Sequence, residues 1–467
     1  MNKLLLLILS FPIVFMLSCR KDSFITGKDA LIHFSSDTLF FDTVFTTSGS
    51  ITEAVKIINN NNQKLRLSDI KLMGGSGSYF TINIDGAPGP EQDGLELAAN
   101  DSLYLFVAVT IKPGSSNLPF IVQDSIQVSF NGNQRYIQLQ AWGQNAHFLR
   151  NETINVNTTW DNNLPYVILG SLQVDTNVLL TIARGCRIYL HADAPLLVDG
   201  TLRVTGEKYD STKVYFQGDR LDEPYREYPG SWPGIYFRNT SINNTMDFAV
   251  IKNAYQGVVA EGPSLNAAPK LVLEQCIIDN SYDAGIMGAQ SSIQASNCLI
   301  SNCGKNIVLG DGGSYQFTHC TAASFSNDLI AHISPVLSVS NYVLQGNTAA
   351  TADLSADFIN CIFWGGNGSV DNEVLVSQQG SNPFSVNFSN CLWKVKTPPA
   401  GITSSNIIAG NDPLFDSINV SRSYYDFHLK AGSPAIDKGA PTSLSVDLDG
   451  NPRPVGLPDI GCYERPF

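Results

Sequence analysis

Basic residues are scarce in this sequence: 29 lysines and arginines stand against 42 aspartates and glutamates, a formal charge of −13 over 467 residues. No stretch concentrates Lys or Arg, so nothing offers the electrostatic footprint that a nucleic acid or an anionic lipid surface needs. The nine cysteines include no CxxC and no Cys/His spacing, which leaves no zinc site to read. Helical periodicity is also missing from the central region, where the apolar residues alternate in short runs instead. These absences exclude a nucleic-acid-binding protein and a zinc protein, and they point to an all-β chain.

What is present is a repeat. Ala249-Val250-Ile251-Lys252-Asn253 returns as Cys276-Ile277-Ile278-Asp279-Asn280, as Cys298-Leu299-Ile300-Ser301-Asn302 and as Cys320-Thr321-Ala322-Ala323-Ser324, with starts 27, 22 and 22 residues apart. Alternate residues of a strand share a face, so the first and third positions point one way. The fifth is polar and sits at a bend, where Asn tolerates a left-handed backbone. Asn253, Asn280 and Asn302 therefore read as a column of turn residues stacked between coils, and the period predicts a parallel β-solenoid. Cys276, Cys298 and Cys320 share one coil position, and Cys361 and Cys391 open similar segments. The spacing predicts a ladder of buried reduced thiols in preference to disulfides, even in an oxidising compartment.

The N-terminus supplies that compartment. Met1 to Ser18 holds Lys3 and an apolar run from Leu4 to Leu17, too short for a membrane span and ending in small residues, which is the pattern of a secretory signal peptide. Phe15-Met16-Leu17-Ser18-Cys19 resembles a bacterial lipobox, which implies cleavage before Cys19 and a lipid anchor on it. Arg20 in place of Asp favours the outer membrane, and Lys21-Asp22 resembles the export tag of surface lipoproteins in Bacteroidetes-type bacteria, which implies cell-surface exposure. Removal of residues 1–18 takes Lys3 and leaves 28 basic against 42 acidic residues, a balance of −14.

Residues 19–30 read as a lipidated polar tether. From 31 to 148, short alternating runs such as Ala54-Val55-Lys56-Ile57-Ile58 and Leu103-Tyr104-Leu105-Phe106-Val107 are separated by turn signals at Gly74-Gly75 and Asn131-Gly132-Asn133, which predicts an antiparallel β-sandwich of seven or so strands. The stretch resembles the immunoglobulin-like spacer modules of Bacteroidetes lipoproteins, with Phe41-Asp42-Thr43-Val44-Phe45 and Ala141-Trp142-Gly143-Gln144 as matching ends. Residues 149–425 then hold about ten coils of 22–30 residues each. They resemble the right-handed parallel β-helix of the pectate-lyase-like superfamily.

Residues 426–467 resemble the terminal segment common to secreted β-helix proteins, through Ser433-Pro434-Ala435-Ile436-Asp437-Lys438-Gly439, Asp447-Leu448-Asp449-Gly450-Asn451-Pro452-Arg453 and Asp459-Ile460-Gly461-Cys462-Tyr463-Glu464. The resemblance implies a cap over the end of the β-helix, in which Arg453 pairs with Asp437 or Asp459 through a bidentate guanidinium. Asp447 and Asp449 have the oxygen-rich look of a calcium turn but lack the acidic residues that complete an EF-hand loop. Calcium is accordingly the one ion in question, and no metal site or cofactor is assigned.

Candidate chemistry gathers in the loop from Arg220 to Trp232. Tyr225, Tyr228 and Trp232 offer aromatic faces to sugar rings, with Arg226 among them. Trp232 also reads as a residue packed beneath the loop, and Trp364 and Trp393 read as core. A lyase needs a base and carboxylates in one groove; Lys252, Lys270 and Lys305 with Asp279, Asp283 and Asp311 are the available groups, and no two of the bases recur in register. A polygalacturonase-like hydrolase needs paired aspartates and a Gly-His-Gly, and neither occurs. His191, His319 and His332 are scattered, with His319 expected at an outward strand position. Five Asp-Ser/Thr-aliphatic segments, at Asp37, Asp42, Asp101, Asp124 and Asp416, resemble the Bacteroidetes O-glycosylation sequon and equally read as strand starts.

The sequence thus predicts a monomeric, lipid-anchored envelope protein whose β-helix binds extracellular polysaccharide or a surface partner without cleaving it. A polysaccharide lyase or glycoside hydrolase is the alternative, and a structural envelope protein or adhesin the second alternative.

Overall fold

A computed structural model describes residues 23–46, 49–114, 119–346 and 348–466. The expected signal peptide and lipidation site at Cys19 lie outside the described residues. The chain is all-β and divides into two compact units, 1–145 and 146–467.

The first unit holds two five-stranded sheets. In one, Glu53–Asn59, Ser102–Val109 and Phe80–Ile84 pair antiparallel through alternating residues. In the other, Asn133–Gln144 pairs antiparallel with Phe120–Phe130 and parallel with Thr38–Phe45. That parallel pair departs from the purely antiparallel expectation, and it joins the two stretches singled out as domain ends: Ala141 stands beside Phe41 and Trp142 beside Thr43. Residues of both sheets, among them Val55, Ile57 and Leu105 with Leu67, Ile126 and Leu139, form one buried cluster. Part of the expected tether belongs to this unit. Ile25 N–H donates to Lys64 O (2.8 Å), Asn131 Nδ2 donates to the carbonyls of Ile25 and Gly27, and Ala30 is buried.

The second unit is built on one parallel system of 26 strands. His147 and Phe148, read from the sequence as the end of the first domain, open it by pairing with Tyr166 and Val167. The strands fall into three rows visited in turn, and each strand pairs in parallel with the next strand of its own row. Ala249–Lys252, Ile277–Asp279, Leu299–Ser301 and Thr321–Phe325 are successive members of one such row. The first, third and fifth repeat positions explain it. Ile251, Ile278, Ile300, Ala322, Phe363 and Trp393 are register neighbours and wholly buried. Phe317, Phe358 and Phe388 stack beside them with ring centroids 5.5 and 4.7 Å apart.

All eight described cysteines are buried and free. Seven of these thiols turn to backbone carbonyls two residues back in the chain or on a neighbouring strand, as Cys298 does to Ser296 O and Leu273 O. Burial raises Cys276, Cys298 and Cys320 well above the ordinary thiol range, with the neighbouring thiols of the ladder pulling in both directions at Cys298 and Cys320. Such thiols are inert toward oxidation.

Two columns of left-handed residues turn the corners. Asn253, Asn280 and Asn302 have φ of 61°, 57° and 51°. A second column precedes the cysteines, at Gln275, Asn297, His319, Asn360, Asn390 and Asn406, with φ between 49° and 56°. His319 is therefore a corner residue and not an outward strand residue, and it is fully buried.

The C-terminal segment lies across a flank of this unit instead of over the last strand. The second repeat positions, Leu299, Ile362 and Leu392, face away from the inner core, and together with Ala323 they pack against Phe415, Phe427, Leu448 and Ile460. The second left-handed column grips the segment: Asn297 Nδ2 donates to Val446 O, Asn360 Nδ2 to Ala440 O and Asn390 Nδ2 to Lys438 O, at 2.8, 2.8 and 2.9 Å. Arg453 pairs with Glu464 (Nε–Oε2 2.9 Å), not with Asp437 or Asp459. The reason is that both aspartates are already committed to the backbone, Asp459 accepting from the N–H groups of Asp437 and Arg465 and Asp437 accepting from that of Leu457.

His319 fixes a pH dependence. Its Nδ1 faces Asp459 O at 3.1 Å and its Nε2 faces Asn360 Nδ2 at 2.8 Å. Burial, and then the Arg453 charge, hold it down to about 3. An unfolded His titrates near 6.5, so the stability gained by keeping His319 neutral is complete above that pH and is lost as pH falls toward about 3. His319→Asn, which places the residue of Asn297 and Asn360 at the same corner, is expected to flatten the urea midpoint between about pH 6.5 and 5, above the ordinary carboxylate range. An unchanged slope in that window would exclude His319 as its source.

Candidate functional site

The loop between Val214–Gly218 and Trp232–Phe237 is held by the first asparagine column. Asn253 Nδ2 donates to Arg226 O (2.7 Å), and Asn280 Nδ2 donates to Glu227 O (2.9 Å) and to Asn253 Oδ1 (2.8 Å). The corner residues are thus also the clamps of the loop, and they fix the single turn Tyr225–Glu227.

The four candidate sugar-contact residues separate here. Tyr225 and Tyr228 are 43% and 39% exposed and meet edge to face with centroids 5.2 Å apart. Arg220 lies over the Tyr225 ring at 4.1 Å. Arg226 pairs with Glu223 at 2.7 Å and projects partly into solvent. Trp232 is 0% exposed, with its Nε1 donating to Lys252 O at 2.8 Å, so it is a core residue beneath the loop and cannot meet a ligand. Trp393 is core as expected, whereas Trp364 sits half-buried on the flank under the C-terminal segment.

Tyr228 lines a groove of about 380 Å³ together with Glu223, Glu227, Lys252, Asp279 and Asp328. Lys252, Asp279, Ser423 and Tyr425 continue into a second recess of about 490 Å³ that adds Asp210, Lys213, Tyr215 and His428. No two lysines share a register, but Lys252 and Asp279, both at the fourth repeat position, are partners on adjacent strands, with Nζ and Oδ2 3.7 Å apart. Asp279 also accepts from Ser301 Oγ at 2.6 Å. Lys305 forms its own pair with Asp283 (3.0 Å). Lys270 is buried with its ammonium on the carbonyls of Arg238, Asn239 and Glu261, and burial pushes it down. Asp311 lies in a left-handed turn.

His428 was not a sequence candidate, and its partners are distant in the chain. Its Nδ1 lies 2.6 Å from Asp426 Oδ1 and its Nε2 3.0 Å from Asp449 Oδ2, and its ring stacks on Tyr463 at 3.8 Å. Burial alone lowers it, but the hydrogen bonds to Asp449 and Asp426 and their charges win and raise it to about 9. It is a fixed imidazolium at neutral pH, a donor and not a base. His191 sits on Asp219 at the surface (2.7 Å), and His332 is buried on Glu373 (2.9 Å).

The Asp447 turn does not fit calcium. Asp447 Oδ1 accepts the N–H groups of Asp449 and Asn451, its Oδ2 accepts that of Glu464, and Asp449 holds His428, so the oxygens that an ion needs are occupied. Among the described residues one trio of carboxylates, Asp69, Glu91 and Asp93 in the first unit, gathers within 4.8 Å. Burial and its two neighbours raise Asp69, and Lys71 stands 3.4 Å from Glu91.

No protein-family profile and no curated protein matches the chain. Among solved structures it is similar in part to a protein of unknown function from Porphyromonas gingivalis W83, at 15% identity and a TM-score of 0.19, over 28% of this chain and 50% of that one. A family 123 glycoside hydrolase from Clostridium perfringens follows at 11% identity and a TM-score of 0.18, over 26% of this chain and 30% of that one. The chain thus spans half or less of the length of these two proteins, and superpositions at this level carry no argument.

Proposed function

We propose that the chain is a lipid-anchored cell-surface protein of an outer membrane, held through Cys19, that binds extracellular polysaccharide without cleaving it. In this reading the two five-stranded sheets with their common core are an immunoglobulin-like sandwich acting as a spacer. The three rows of parallel strands are the coils of a right-handed β-helix of the pectate-lyase-like kind. No nucleic acid and no cofactor takes part, and the protein works as a monomer.

The observation that carries the reading is the groove at Tyr228. An exposed aromatic pair stands at its edge, carboxylate and amide acceptors line it, and Lys252 supplies a donor, which is the mixture that hydroxyl-rich rings require. Glu223, Glu227, Asp279 and Asp328 stand against Lys252 in the smaller recess. That balance repels a polyuronate, the substrate of an acidic-sugar lyase. The specific point in favour of an enzyme is the Lys252–Asp279 pair in the same groove. Against it, Asp279 is engaged by Lys252 and Ser301, and His428 is held protonated.

The test is affinity-gel retardation of the soluble chain from Arg20 onward on plant, algal and host polysaccharides, with and without calcium, and with reducing ends and unsaturated products measured in parallel. Retardation without cleavage is expected. Tyr225→Ala with Tyr228→Ala is expected to weaken it by on the order of tenfold to a hundredfold, the loss of two ring contacts. New chain ends would replace this reading with the hydrolase or lyase. Silence on both counts would favour a structural protein or adhesin.

A further inference from the structure

A second, larger cavity of about 790 Å³ lies on another row of strands and shares no lining residue with the groove at Tyr228. Its floor is the outward face of 291–296, 313–318, Leu354–Ile359 and Phe384–Ser389, which pair in parallel in that order. Ser292, Ser314, Ser355 and Ser385 are register neighbours across these four strands. Two residues on, Gln294, Gln316, Asp357 and Asn387 form a second column. Residues two apart on a strand share a face. The floor therefore repeats a hydroxyl about every 4.7–4.9 Å, the spacing of hydrogen-bonded strands, and its first two strands add the amides of Gln294 and Gln316, while Asp357 and Asn387 lie beyond the lining.

The chemistry of this floor is unlike that of the first groove. Asp353 is the one charged residue in the lining, and its carboxylate already accepts from Asn382 Nδ2 at 3.0 Å. At the margins the polar groups are used internally: Ser292 Oγ accepts from Lys270 N–H (2.9 Å), and Asn387 donates to Asp357 (2.8 Å). In the middle they are not. Ser314, Gln316 and Ser355 are exposed, and no hydrogen bond among the described residues engages their side chains or that of Gln294.

Buried in the cavity wall, Ser291 is only 2% exposed, and its Oγ has no partner. That oxygen is closed to solvent on the inward parity of Ile293, so it belongs to the wall and takes no part in the floor. Pro263, Pro269 and Phe384 add apolar faces to the lining.

We propose that this cavity is a separate binding site for an uncharged polysaccharide, a chain lying across the four strands with successive rings on successive rungs. Free amides hold vicinal hydroxyls as donor and acceptor at once. Rungs at a fixed repeat match a polymer better than a compact ligand, and proline and phenylalanine faces cover the apolar sides of sugar rings. A polyanion gains nothing here, because the lining offers no cation.

The probes are hydroxyethyl cellulose, xyloglucan, galactomannan, dextran and levan, with polygalacturonate and alginate as anionic comparisons, in affinity gels loaded with the mature chain. At least one neutral polymer is expected to retard it. Gln294→Ala with Gln316→Ala is expected to weaken that retardation by on the order of tenfold or more while leaving the urea midpoint in place, since both side chains face outward. A neutral polymer whose retardation falls in the glutamine variant is expected to keep at least part of it in Tyr225→Ala with Tyr228→Ala, whereas a polymer held at the first groove alone loses it there and not in the glutamine variant, which separates the two sites. The proposal is overturned if no neutral polymer binds, if only polyanions bind, or if the glutamine variant binds the neutral polymer like the parent chain.

Discussion

Arg453→Ala is expected to destabilise the second unit by about 3–5 kcal/mol, the cost of leaving a buried carboxylate without its partner. The Arg453 and Glu464 side chains are 0% and 1% exposed. The guanidinium also donates to Asn297 Oδ1 (2.7 Å) and Gly461 O (2.9 Å), so one side chain ties the C-terminal segment to the corner column and to its own last turn. With Arg453 gone, Glu464 retains the N–H groups of Val455 and Asp459 but no cation. The segment should then lift from the flank and expose Leu299, Ile362 and Leu392. Urea unfolding followed by Trp fluorescence measures the first effect, and dye binding to newly exposed apolar surface measures the second. Arg453→Met with Glu464→Met removes both charges and should recover most of the loss. A single variant that loses less than about 1 kcal/mol, in the range of an exposed pair, would show that the segment is held by its apolar contacts alone.

The rows of strands were legible because the sequence repeats on the scale of the structure. A 22-residue return of Cys and Asn positions is enough to align the inner column and the left-handed column at Asn253, Asn280 and Asn302. The course of the C-terminal segment was not legible, because its grips join residues far apart in the chain: Asn360 to Ala440, Asn297 to Val446 and Arg453. A signal was nevertheless there. The second repeat position faces away from the core, yet it reads Val250, Ile277, Leu299, Thr321, Ile362 and Leu392, and a run so largely aliphatic at outward positions in register demands a cover.

The candidate site divides in the same way. Tyr225 and Tyr228 were readable from loop composition. The Lys252–Asp279 pair stood in the repeat itself, because both residues hold its fourth position, but a base in register with an acid escapes a reading that looks for bases recurring with bases. His428 was hidden because both of its carboxylates come from turns whose meeting depends on the whole C-terminal fold. The hydroxyl and amide rungs of the larger cavity were missed for a third reason. Isolated Ser and Gln in strands look like ordinary solvent-facing residues until the register places them side by side.

Trp232→Ala is expected to cost about 3–5 kcal/mol, the range for emptying a buried aromatic site, and also to weaken polysaccharide retention although the indole touches no ligand. Trp232 is the largest fully buried side chain among the described residues. It stands beside Ala254 in the register, directly after Ser231, whose N–H and hydroxyl both reach Asn253 O. Its removal opens a cavity beneath the loop and leaves Lys252 O without the indole donor. Trp232→Phe keeps most of the apolar volume and forfeits the hydrogen bond, a smaller loss of about 0.5–1.5 kcal/mol for that bond.

The effect on binding comes through position, and a second substitution isolates it. Asn280→Gly keeps the left-handed corner, which Gly occupies without strain, but releases Glu227 O and Asn253 Oδ1 from the side-chain clamp. If the loop must be held for Tyr228 to meet a sugar, Asn280→Gly should lower retention with little change in the urea midpoint, while Trp232→Phe should leave retention near that of the parent. Retention that follows stability across all three variants would instead mean that the loop has no role beyond its share of the core.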